Sequence, residues 1–129
     1  MKKIALLLLM GFIICTAFNK PMVLLTDYRD AYVGSYFCNS SCQGLNSQHT
    51  ALTTNNGTTT IGVAKDLLDS ILKITIGKST YQVKLKNNRM YAYPVGRHWG
   101  GKFFAADSIG FTASVSLAPN ACSYTGKKN

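Results

Sequence analysis

Ile71–Val95, ILKITIGKSTYQVKLKNNRMYAYPV, reads as strand, turn, strand, turn, strand without help from the rest of the chain. Leu72, Ile74 and Ile76 alternate with Lys73 and Thr75, the period of two that gives a strand one buried and one wet face. Gly77-Lys78 supplies a two-residue loop with glycine first, where a type II′ hairpin needs positive φ. That loop predicts Ile74 opposite Tyr81 and Leu72 opposite Val83, all four on one face. Asn87-Asn88 is a second such loop, because asparagine tolerates the left-handed region that both central positions of a type I′ turn occupy. It predicts Leu85 opposite Met90 and Val83 opposite Ala92. The outer face then carries Gln82, Lys84, Lys86, Tyr91 and Tyr93, with Lys84 over the Tyr91 ring as a cation–π pair.

Upstream, Asp27–Tyr32 has the residues for one helical turn with Asp at its start, and Tyr32–Cys38, YVGSYFC, for a first strand. Asn39–Gly57 is polar, and Asn39-Ser40-Ser41, Gln43-Gly44 and Asn55-Asn56-Gly57 read as turns around an irregular strand in Leu45–Thr53. Thr58–Ala64 is a further strand. Lys65–Leu72 fits either a helical stripe or a turn followed by a strand, and the strand period of Ile74-Thr75-Ile76 favours the second. Downstream, Phe103–Ala105, Ile109–Val115 and Ala121–Thr125 are strands, Asp107-Ser108 and Pro119-Asn120 are turns, and Gly126–Asn129 is a basic tail. The sum is an all-β domain, a small antiparallel meander barrel or sandwich of about eight strands. Phe37, Ile74, Tyr81, Val83, Phe103 and Phe111 are the expected fillers of its interior.

The N-terminus, Met-Lys-Lys followed by an apolar run from Ile4 to Phe18, has the pattern of an export signal and is too short for a membrane span of about 20 residues. The expected organisation is a signal helix over 1–17, a linker over 18–30 and the β-domain over 31–129. Cys15-Thr16-Ala17 offers small residues for ordinary cleavage; the alternative makes Cys15 the lipidated first residue of a lipoprotein, against the poor fit of Ile14. Export implies the periplasm, the outer membrane or the outside of the cell.

The whole chain has 14 Lys and Arg against five Asp and no Glu. Without Lys2 and Lys3, 12 bases remain against five acids, a net charge of +7. Such a balance favours anionic surfaces, acidic glycans or phospholipid head groups among them, and rules in nothing specific for nucleic acid. The bases are scattered along the sequence with no run longer than Lys127-Lys128, as a solvated sheet face would have them.

Cys38, Cys42 and Cys122 follow the leader. An oxidising compartment predicts one disulfide and one thiol left over. First and last strands of a closed meander are neighbours, so Cys122 should join Cys38 or Cys42; Cys38 is preferred because it lies within a predicted strand. Cys38, Cys42, His49 and Cys122 also have the ligand types of a zinc site, but the same oxidation argues against it, and no metal or cofactor is expected. Catalysis is not expected either. His49 and His98 are the only neutral-pH bases, Asp107 and Ser108 would point to opposite strand faces, and no glycine-bracketed serine or phosphate-cradling loop occurs. The strongest candidate ligand surface is Arg97-His98-Trp99, flanked by glycines and by Tyr91 and Tyr93. Aromatic faces and a guanidinium suit sugars and anions, whereas the simpler alternative makes Trp99 a cap on the core.

DYRDAYVGSYFC, the Thr-rich strand before Lys65-Asp66, DSIGFTASVS and the closing CSYTGKK together resemble the small secreted or lipoprotein β-domains of Bacteroidota-type bacteria. The resemblance implies a lipocalin-like or sandwich fold and carries no catalytic motif. It also implies O-glycosylation at Asp-Ser-aliphatic triplets, here Asp69-Ser70-Ile71 and Asp107-Ser108-Ile109; Asp-Ser is equally good turn chemistry. The functional expectation is an exported, non-catalytic β-domain of the cell envelope that binds or supports. The alternatives are a lipocalin-like carrier of a small apolar ligand, which needs a cavity, and an inhibitor of an envelope hydrolase.

Overall fold

A computed structural model describes residues 26–114 and 120–129. The proposed signal helix, Cys15, Val115 and Pro119 lie outside the described residues. Eight strands close into one antiparallel barrel in chain order: β1 Gly34–Leu45, β2 Leu52–Lys65, β3 Ile71–Ile76, β4 Ser79–Lys86, β5 Arg89–Ala92, β6 Trp99–Ala105, β7 Ser108–Ser114 and β8 Ala121–Lys128. It is a barrel, and not the sandwich left open by the sequence, because β8 hydrogen-bonds β1 from Tyr36↔Lys128 to Gln43↔Ala121.

The central meander has the register that its turns dictate. Ile74 faces Tyr81, Leu72 faces Val83, Leu85 faces Met90 and Val83 faces Ala92. Gly77 has φ +57°, and Asn87 and Asn88 have φ +48° and +63°, the left-handed region for which those residues are suited. Lys65–Leu72 is a turn followed by β3. Asp27 caps a 3-10 turn, Tyr28–Ala31, by accepting the Arg29 backbone N–H at 2.9 Å.

Three local expectations give way to long-range pairing. The polar segments read as turns within Asn39–Gly57 lie inside two long strands, where β1 and β2 pair without interruption from Gly34↔Val63 to Leu45↔Leu52. The chain reverses only at Asn46–Ala51, where the Asn46 side chain accepts the Thr50 and Ala51 N–H groups. Backbone partners on both sides of β1 outweigh the turn preference of Asn and Ser. Gly126–Lys128, read as a tail, is the end of β8 and pairs with β1 and β7. Phe37, assigned to the interior, points outward and is 54 % exposed, while Tyr36 and Cys38 on the other parity are fully buried.

The core is filled, and above it a pocket of about 250 Å³ lined by Cys42, Asn55, Tyr81, Ala113, Cys122 and Tyr124 opens at the β1–β2 hairpin end of the barrel. Tyr36, Cys38, Ile61, Leu72, Ile74, Val83, Ile109 and Phe111 are buried without residue, and Val63, Leu85, Met90, Phe103 and Ala113 nearly so. Each such large side chain contributes roughly 1.5–3 kcal/mol from removal of apolar surface from water. The buried Tyr36 hydroxyl donates to the carbonyls of Tyr32 and Ala106, at 2.8 and 3.1 Å, and burial pushes its pKa up to about 12. Arg29 is the one buried charged residue among those described. It forks onto Asp27 at 2.7 Å and donates to the carbonyls of Leu68 and Ile71 at 2.8 and 3.0 Å. The segment read as linker is thereby riveted to the β2–β3 turn.

The disulfide joins Cys42 to Cys122, not Cys38 to Cys122. The register is the reason: Cys42 and Cys122 are directly opposite on β1 and β8 with Cα atoms 4.0 Å apart, whereas Cys38 faces Gly126. Cys38 is a free, buried thiol whose pKa is raised by desolvation. With Cys42 and Cys122 bonded to each other, the zinc alternative loses two of its four ligands. Nor does Lys84 cover Tyr91: the two are register neighbours, but the described cation–π contacts are Lys102 over Phe104 and Arg97 over Trp99.

Two outcomes follow from this framework. Cys42→Ser with Cys122→Ser opens a loop of sequence separation 80 and should cost about 4–5 kcal/mol in the chain-entropy account, read by guanidinium unfolding against Cys38→Ser, which keeps the bridge. Asp27 is held at about 2, below its ordinary 3.8, chiefly by its side-chain hydrogen bonds with Arg29. Its contribution is therefore complete above pH 3.8 and lost as pH falls toward 2. Thermal melts of wild type should decline across that window more steeply than those of Asp27→Asn, and equal slopes would contradict the assignment.

Candidate cationic surface

All five acids of the chain sit at one end of the barrel, on the capping turn and the β2–β3 and β6–β7 turns. There they neutralise Arg29, Lys65 and Lys73: Asp27 and Asp69 face Arg29, Asp27 and Asp30 face Lys65, and Asp66 lies 3.5 Å from Lys73. The outer face of β4, β5 and β6 is left with cations alone. Lys86 stands directly opposite Arg89, and Arg89 directly opposite Lys102. No ion pair among the described residues includes any of the three.

Adjacent strands lie about 4.8 Å apart, so the row presents three positive groups over roughly 10 Å. Tyr91 follows Arg89 on the same face of β5 and is 50 % exposed. Phe104 follows Lys102, at the β6 irregularity where pairing with β7 shifts between Phe103 and Ala105. Its ring lies over Gly110, where a Cβ would come within 2.8 Å of it, and the Lys102 ammonium sits 4.5 Å from the ring centre. With no side chain at Gly110, an open groove of about 450 Å³ leads from Arg89 and Lys102 across β7 to β8, lined also by Phe104, Thr112, Ser123 and Thr125. Its polar groups are cationic or hydroxylic, suited to donate hydrogen bonds to an anion.

The five residues singled out in the sequence have different surroundings. Tyr91 belongs to the sheet face just described. Trp99 is half-buried against the core, where Tyr81 meets it edge-on at 5.4 Å and its indole N–H donates to the Gln82 carbonyl at 2.9 Å. That makes it the cap of the simpler reading. Arg97 lies over the outer side of the indole, 5.9 Å from the ring centre. Tyr93 is half-buried and donates its backbone N–H to the same Gln82 carbonyl, while exposed His98 is held by its carbonyl, which accepts the Ser114 N–H. Ser70 is partly buried in a turn with φ +64°, and the Ser108 hydroxyl donates to Asp107 at 2.9 Å. Among the described residues no hydrogen bond joins either histidine side chain to a hydroxyl or thiol, and no three His, Cys, Asp or Glu side chains converge.

Comparison with protein-family models, curated proteins and solved structures finds no match for this chain.

Like charges directly opposite on neighbouring strands destabilise a sheet. Lys102→Glu places a carboxylate opposite Arg89 and should raise stability by about 0.2–1 kcal/mol in denaturant titration at low salt. The gain should fade as salt screens the pair; a loss of stability would mean that the row is not repulsive.

Proposed function

We propose that this is an exported, non-catalytic β-domain of the cell envelope that binds acidic glycans through the outer face of β4–β6. The carrying observation is the row Lys86, Arg89, Lys102, unneutralised among the described residues and bordered by Tyr91 and Phe104. Cations supply attraction and the aromatic rings supply flat apolar area for a sugar. The Cys42–Cys122 bridge fits an oxidising compartment outside the cytoplasm. The export pattern of the N-terminus and the resemblance to small secreted and lipoprotein β-domains point the same way. The filled core, with only the pocket of about 250 Å³ at the barrel mouth, speaks for an outer binding face over a lipocalin-like carrier, whose ligand would need about 300–1,000 Å³. The basic surface speaks against an inhibitor of basic hydrolases, which would present acids.

The test is binding to a sulfated glycan (heparin), a carboxylated one (polygalacturonate), neutral dextran and anionic phospholipid vesicles. The acidic glycans should bind, dextran should not, and affinity should fall as salt rises. Arg89→Glu with Lys102→Glu should weaken binding by more than about tenfold, whereas Lys78→Glu with Arg97→Glu, equal in charge but at the opposite barrel end, should leave it nearly intact. Equal losses from both pairs would reduce the effect to net charge. Binding to vesicles alone would move the ligand from glycan to membrane.

A further inference from the structure

Strand β2 pairs with β1 throughout, but with β3 only over Ile61–Lys65. Its first part, Leu52–Thr60, runs past the β3–β4 hairpin with one backbone edge unpaired among the described residues. The hydrogen-bond parity identifies that edge. The Asp66 N–H donates to the Ile71 carbonyl, so even-numbered residues of β2 direct N–H and C=O toward the β3 side. By the same alternation Leu52, Thr54, Asn56, Thr58 and Thr60 present theirs outward, while the odd-numbered residues bond β1, as the Asn46 N–H to Ala51 carbonyl bond at the hairpin end also requires.

Proteins blunt such edges with lysine, proline or a bulge. None of these is here. Leu52–Ala64, LTTNNGTTTIGVA, contains no charge and no proline, and its register with β1 is unbroken.

We propose that this edge pairs with its own equivalent in a second copy of the chain, forming a two-fold dimer with the β2 strands antiparallel about Asn56. Charge selects the occupant. The chain carries a net +9, so two copies repel wherever cations face each other, and the uncharged edge lets them meet with the least repulsion. An acidic peptide strand would instead be drawn to the β4–β6 face. Pairing about Asn56 sets Thr54 of one copy opposite Thr58 of the other, a favourable cross-strand combination. The contact is isologous, so it closes at two copies and leaves no further edge of this kind exposed.

Sedimentation equilibrium on the purified protein, with amide exchange, tests the proposal. A mass twice the monomer is expected, with the Thr54, Asn56 and Thr58 amides protected in a concentration-dependent way. Asn56→Lys sets two ammonium groups face to face, and Thr58→Pro removes an edge donor that β1 does not use. Each should raise the dimer dissociation constant by at least about tenfold with the melting temperature of the dilute monomer unchanged. Asn56→Lys decides alone should Thr58→Pro fail to fold. A protein that stays monomeric over its soluble range overturns the proposal, as does a dimer that Asn56→Lys leaves intact. Protection of those amides only when an extended peptide is added would give the edge to another occupant and overturn it too.

Discussion

The barrel depends on the β8–β1 seam. An open meander of eight strands would leave two edges and half-cover its core; the pairing of Tyr36 through Gln43 with Ala121 through Lys128 removes that exposure and fixes which parity of β1 turns inward. Gly126 permits the seam to close. A Cβ there would lie 2.1 Å from the Phe37 carbonyl oxygen and 2.5 Å from the Cys38 sulfur, so the thiol occupies the space that a side chain on β8 would take. Cys38 is thus a small apolar filler, and the oxidised pair sits one step of the same inward parity beyond Ser40, where the strands face Cys to Cys. The disulfide and the packing act on one line of contacts.

Legibility in the sequence followed the range of the interaction. Gly77 and Asn87-Asn88 set their hairpins through φ preferences of the residues themselves, and the registers of β3, β4 and β5 came with them. The capping turn at Asp27 is equally local. The length of β1 and β2 was not legible, because Asn39-Ser40-Ser41 and Asn55-Asn56-Gly57 have turn chemistry, and only a partner strand on each side of β1 makes them extended. The inward parity of β1 was hidden for the same reason: YVGSYFC carries aromatic residues on both faces, and Phe37 is as apolar as Tyr36. The choice between Cys38 and Cys42 needed the β8 register, which no local feature encodes.

The cationic row shows how chemistry scattered in sequence is assembled by pairing. Half of it was implicit, since the Asn87-Asn88 turn already sets Lys86 against Arg89. Lys102 joins only through β5–β6 pairing across the irregular Tyr93–His98 loop, for which the sequence gives no register. The clustering of all five acids at one end is likewise a property of topology, because turns distant in sequence share that end. Trp99, the most conspicuous residue of the original candidate surface, serves the core, and its indole hydrogen bond leaves Arg97 stacked on it at the rim.

The core of this small barrel is filled by its own side chains, and its outside carries two features that packing does not explain. The core is apolar, and the outer face mixes polar and cationic groups with exposed Phe37 and Phe104. On β4–β6 the sheet tolerates like charges side by side, a local cost that a bound anion would relieve. On the flared end of β2 it tolerates an unguarded, uncharged edge, a cost that a second strand would relieve. Both features oppose the interest of an isolated folded chain, and they lie on different strands. A sequence shaped for stability alone would have put a carboxylate opposite Arg89 and a lysine near Asn56, each a single substitution class away and neither disturbing the core.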